Sequence, residues 1–168
     1  MATSPAGFFR FPNPVNDVAT RITAGFIVVI AGLALVLEQP WLVAVLAYGF
    51  AARVAAGPRL SPLALLVTKV IVPGFHLPIR SVAGPPKRFA QAIGATVTVI
   101  GTVCYFGLGL TGVTYVLLGI MIVFAFLESA FGLCVGCKIF GLLMRLNVIP
   151  AEVCAECENI SLRAAARS

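Results

Sequence analysis

The stretch Val113-Thr-Tyr-Val-Leu-Leu-Gly-Ile-Met-Ile-Val-Phe-Ala-Phe-Leu-Glu-Ser-Ala-Phe-Gly-Leu133 contains a single charged side chain, Glu128. About 20 predominantly apolar residues are what an α-helix needs to cross a hydrocarbon core about 30 Å thick. Working outward, three further stretches read the same way: 18–37, 41–56 and 89–110. The second is short, with Trp41 placed as an interfacial belt residue and Arg53 able to snorkel toward the opposite surface. Composition agrees, since the 168 residues are 60% hydrophobic and 11% charged, with a mean hydropathy of +1.05. A soluble domain carries about 25% charged residues to keep its surface wet. The expected fold is therefore an all-α integral membrane protein, a four-transmembrane-helix bundle in which 113–133 is the last span.

The connections differ in character. Glu38-Gln39-Pro40 and Thr111-Gly112 are minimal turns, whereas 57–88 contains Pro58, Pro62, Pro73, Pro78, Pro85 and Pro86 with Arg59, Lys69, Arg80, Lys87 and Arg88. Within that loop, 62–72 is apolar around Lys69, with Ser61 placed to cap a helix and Pro62 at its first position. A helix of that length covers roughly 15 Å, too little to span, so an interfacial helix is expected, with a re-entrant segment as the alternative. Residues 1–149 form the membrane domain and 150–168 a polar tail. The apolar run at 18–37 is too long, and too poorly preceded by charge, for a cleaved signal peptide. Asn16 or Asp17 is placed to cap it.

With four spans, residues 38–40 and 111–112 share one side of the membrane. The termini and the loop 57–88 share the other, and every Lys and Arg falls on that side or reaches it. The positive-inside rule then places both termini in the cytoplasm of a multi-pass protein of the cell inner (plasma) membrane. The same argument accounts for the net charge of +6 without nucleic acid as a partner. The lipid bilayer is the partner the composition implies.

Four of the five cysteines form two C-x-x-C pairs, Cys134/Cys137 after the fourth span and Cys154/Cys157 in the tail. Thiols at this spacing can form a reversible disulfide or supply two corners of a metal site. The overall spacing matches a four-thiolate zinc site. The intervening 138–149 reads as an amphipathic helix, however, and would have to break near Gly141 for all four sulfurs to meet. Lys138 favours a thiolate at Cys137, whereas Glu152, Glu156 and Glu158 disfavour one in the tail. Cys134/Cys137 is thus the expected attacking pair, with Cys154/Cys157 passing electrons onward by exchange. Redox pair, metal site and inert thiols all stand as readings. Cys104, about 20 Å from Cys134 along the bundle axis by helical rise, is a packing residue.

Glu128 should face the bundle interior or a wet cavity, because a carboxylate in hydrocarbon is costly. It could accept a proton from the thiols, line a conduction path, or pack as a hydrogen-bonded acid. His76 reads as an ordinary loop residue. Gly25/Gly32 and Gly94/Gly101 read as close helix contacts, and Lys87 and Arg88 as contacts to phosphate headgroups.

Four segments together resemble a bacterial membrane-protein family known only as a domain of unknown function, number four-three-nine-five. They are Phe11-Pro-Asn-Pro-Val-Asn16, Gly57-Pro-Arg-Leu-Ser-Pro62, Gly84-Pro-Pro-Lys-Arg-Phe-Ala90 and Cys134-Val-Gly-Cys-Lys-Ile-Phe140. The resemblance implies a four-helix membrane domain with a C-x-x-C at 134 and 137, and an association with thioredoxin-like or rhodanese-like proteins of sulfur metabolism. The leading functional expectation is thiol–disulfide exchange at the cytoplasmic face, carried by Cys134, Cys137, Cys154 and Cys157 with Glu128. The alternatives are a four-cysteine zinc site with a structural role in a membrane complex, and a small permease for a sulfur compound.

Overall fold

A computed structural model describes residues 13–39 and 41–149. A two-residue strand, β1 (Val15–Asn16), leads into α1 (Asp17–Val36). Asn16 is the N-cap, its Oδ1 accepting the Val18 N–H at 3.1 Å, which leaves the Asp17 carboxylate free for another partner. After a turn comes α2 (Trp41–Ala56), which stops where Gly57 adopts φ +63°. A 3₁₀ turn (Gly57–Arg59) and a short helix follow: α3 (Pro62–Leu66), a π-helical turn (Val67–Ile71) and α4 (Val72–Gly74). Beyond them β2 (Ser81–Val82) pairs antiparallel with β1, Val15 opposite Val82 and Asn16 opposite Ser81. Then come α5 (Gly84–Phe106), α6 (Thr111–Phe131) and α7 (Val135–Arg145).

Among the described residues, four helical segments are long and apolar enough to cross a membrane: Asp17–Val36, Trp41–Gly74 with its interruption at Gly57, Gly84–Phe106 and Thr111–Phe131. The chain is a four-span integral membrane bundle. Its outer surface is apolar, with Val29, Leu33, Val103, Val116 and Val123 exposed. In water that surface would be an aggregation site, and lipid is its natural solvent.

Inside, α2 packs most extensively on α5 and α1 on α6. Ile27, Ala31 and Ala34 of α1, Val43, Leu46 and Phe50 of α2, and Leu118, Met121 and Ala125 of α6 form one core. Gly94 faces the Phe50 ring so closely that a Cβ there would clash with it, and Thr114 Oγ1 donates to the Gly101 carbonyl at 2.9 Å. Gly25 meets Ser129, whereas Gly32, expected to be a packing contact, has no neighbour for a Cβ within 4 Å.

Both boundaries of α5 shift from the sequence reading, through proline and glycine. α5 begins at Gly84 rather than near residue 89, because Pro85 and Pro86 occupy the first helical turn, where their missing N–H groups cost nothing. It ends at Phe106 because Gly107 and Gly109 (φ +66°) close it before Leu110. The segment 62–72 lies on the first turns of α1, where Val67 and Val72 cluster with Ala19 and Ile22 while Leu66, Lys69 and Val70 remain exposed.

Candidate functional site

The N-terminus of α1, the C-termini of α2 and α6, and the N-termini of α5 and α7 meet at one end of the bundle, the end bearing the Pro-rich loop. Here the sequence motifs converge. Asn13 Oδ1 accepts the Gly84 N–H at 3.0 Å, and Asn16 Oδ1 accepts the Arg80 N–H at 3.3 Å. The rings of Phe89 and Phe140 are 5.6 Å apart.

The chain reverses between α6 and α7 at Gly132, whose φ of +68° suits glycine. Gly132 N–H donates to Glu128 O at 3.0 Å, the 5→1 bond of a left-handed αL cap, and Leu133 N–H donates to Leu127 O at 3.1 Å. The guanidinium of Arg21 crosses from α1 to donate to the Ala130 carbonyl at 3.2 Å and the Ser129 carbonyl at 3.4 Å. Two residues on, Cys134 is the N-cap of α7, its Sγ accepting the Cys137 N–H at 3.3 Å. Gly136 lets α7 approach α5: a Cβ at that position would lie 2.5 Å from the Cα and Cβ of Ala90.

Cys134 is buried and Cys137 half-buried, and both are free thiols. The Cys137 thiol donates to the Cys134 sulfur, which holds the Cys134 pKa below its ordinary value; burial and Glu128 oppose this, while Lys87 and the Cys137 backbone N–H support it. The same shared proton, together with burial, pushes Cys137 well above the ordinary thiol range. The pair is therefore polarised, with the thiolate on Cys134 at a helix N-terminus. The positive charge favouring it comes from Lys87 of α5 rather than from neighbouring Lys138, whose side chain is exposed.

Lys87 is not the headgroup contact its sequence context suggested. Its side chain is 7% exposed, with Nζ 2.7 Å from Glu128 Oε1 and 2.9 Å from Asp17 Oδ1. The cluster joins α1, α5 and α6. Sequence reasoning missed it, although a solitary carboxylate in a span calls for a cation on a neighbouring helix. Arg53 likewise does not snorkel: it is buried, its Cζ 4.4 Å from the centroid of the Phe50 ring.

Two cavities adjoin the cluster. One, of about 90 Å³, is lined by Glu128 and Cys134 among apolar side chains of α1, α2, α5, α6 and α7. The other, of about 400 Å³, is lined by Arg53, Lys87, Gln91 and Glu128. Ala24, Ile27, Phe50, Ala90 and Glu128 belong to both walls. Glu128 thus faces the interior and stands between the thiol and the larger cavity. α7 continues through Gly141, so the break a four-thiolate site was expected to need does not occur there. Cys154 and Cys157 lie outside the described residues, and among those described no group of three or more metal-ligating side chains assembles.

The family described as a domain of unknown function (DUF4395) matches residues 15–145. The chain belongs to this family. The DUF4395 match begins at the first residue of β1 and ends at the last of α7. It includes Cys134, Cys137, Lys87 and Glu128, and leaves Cys154 and Cys157 outside. No curated protein and no solved structure matches the chain.

Proposed function

We propose that this protein performs thiol–disulfide exchange at the cytoplasmic face of the cell membrane, with a thioredoxin-like dithiol protein as its partner. The observation that carries the reading is the Cys134 sulfur at the N-terminus of α7, accepting the Cys137 N–H. A helix N-terminus favours the thiolate, and the thiolate is the attacking species. Cytoplasmic orientation is supported by the positive-inside rule, since the loop 57–88 at this end holds Arg59, Lys69, Arg80, Lys87 and Arg88, whereas the turns at the other end contain only Glu38 as a charge.

In the forward direction the Cys134 thiolate attacks one sulfur of the partner disulfide. The Cys134–partner S–S bond forms as the partner's own S–S bond breaks, and the other partner sulfur leaves as a thiolate. Cys137 gives up its proton and attacks Cys134, forming the Cys134–Cys137 disulfide and expelling the partner's second sulfur. Two electrons pass from this pair to the partner, whose two thiolates take up protons; the reverse sequence returns them. Because Cys134 is 8% exposed, exchange with a protein disulfide requires α7 to tilt away from α5.

Alkylation trapping in native membranes, with and without reductant, tests the reading. A reductant-dependent pair of modifiable thiols at Cys134 and Cys137 is expected, and Cys137→Ser should accumulate a Cys134-linked mixed disulfide. Free alkylation of both cysteines in untreated and oxidant-treated membranes alike would exclude the redox role. About one zinc per purified chain would favour the metal site instead.

A further inference from the structure

The 400 Å³ cavity is not used by the thiol chemistry, and its wall holds a buried cation with an unmet bond. Arg53 is 3% exposed, and its Nε has no hydrogen-bond partner among the described residues. Its Cζ lies over the Phe50 ring, 4.4 Å from the centroid. A cation held over a ring uses none of its N–H groups in that contact, and a guanidinium's N–H groups form the fork that matches two oxygens of an oxyanion. Lys87, the other cation in the wall, is already engaged by Asp17 and Glu128. Arg53 is left as the cation in this wall with an N–H to spare. In the same wall, Gln91 Oε1 is also buried without a hydrogen-bond partner among the described residues. The amide can turn its NH₂ toward a bound acceptor. The wall extends to exposed loop residues Pro14, Ile79 and Ser81, which gives a route of entry.

We propose that this cavity is an oxyanion-binding site in which Arg53 grips the ligand edge-on, with Gln91 as a second donor. A cationic ligand is disfavoured, because it would meet two cations in the wall, Arg53 and Lys87. The oxyanion belongs either to a small free solute, a carboxylate or a sulfur oxyanion, or to the phosphate of a lipid headgroup. The volume lies within the range of small-molecule pockets, about 300–1,000 Å³. This inference is independent of the redox proposal, and its test reads binding alone.

The experiment is thermal unfolding of the full chain in uncharged detergent at constant ionic strength. Chloride is replaced stepwise by acetate, sulfate or thiosulfate in one arm, and phosphatidylglycerol is added to the micelles in the other. A saturable rise in Tm is expected for at least one probe, and the arm in which it appears identifies the source. Arg53→Gln should abolish it, and Arg53→Lys, which keeps the charge but not the fork, should weaken half-saturation about tenfold or more. If Arg53→Gln does not fold, Arg53→Lys and Ser81→Trp, the latter a bulky plug at the exposed rim, decide between the outcomes. Loss or weakening of saturation in these variants supports the site. Equal, non-saturating stabilisation of wild type and variants, or no response to any probe, overturns it.

Discussion

Replacing Lys87 by methionine isolates the buried charge cluster. The substitution keeps the length and apolar stem of the side chain but deletes the ammonium that lies 2.7 Å from Glu128 and 2.9 Å from Asp17. Removing one partner of a fully buried pair costs about 3–5 kcal/mol, because the remaining charge is stranded. Here the carboxylates are 16% and 22% exposed, so water relieves part of the penalty and the lower end applies, about 3 kcal/mol. That is roughly a hundredfold in the folding equilibrium. Adding Glu128→Gln removes one stranded charge and should restore about 1 kcal/mol or more, as coupled neighbours do in double-mutant cycles. The assay is reversible unfolding in mixed micelles at increasing dodecyl sulfate fraction, followed by circular dichroism. If Lys87→Met stays within about 0.5 kcal/mol of wild type, or the two substitutions simply add, the cluster is not the structural tie described here.

Two further outcomes follow from the same end of the bundle. The pH midpoint for methylthiolation of Cys134 should lie below that of an ordinary thiol, because Cys137 donates to its sulfur; Cys137→Ala should raise it. Lys87→Met should raise it too and Glu128→Gln lower it, and a wild-type midpoint at or above the ordinary value would remove the polarised pair. Gly136→Ala should cost about 1–3 kcal/mol by overpacking against Ala90. The same unfolding assay measures that cost, and an unchanged midpoint would mean that α7 does not lie where it is described.

The spans were legible because the cost of placing a segment in lipid is a sum over its own residues. Residues 113–133 needed no partner to be read as a span, and α6 occupies Thr111–Phe131. Their ends were less legible: Pro85-Pro86 opens α5 early and Gly107 closes it early, through local backbone geometry that hydropathy does not register. At the candidate site, the spacing of Cys134 and Cys137 was visible, and so was Glu128. Hidden were the cation acting on the thiols and the true environment of Arg53. Adjacency suggested Lys138, and position at a span's end suggested that Lys87 and Arg53 would reach headgroups.

The sequence by itself determined that this chain lives in a bilayer, and which of its segments are apolar enough to cross. Each of those properties is a local transfer free energy. Only the tertiary structure decided that Asp17, Lys87 and Glu128 form one cluster, that Arg53 lies on Phe50, and that Glu128 stands between the thiol cavity and the larger one. Lys87 and Glu128 are 41 residues apart on different helices. Whether a charge seeks water or a partner depends on which helix faces pack together, a non-local choice that no single segment encodes.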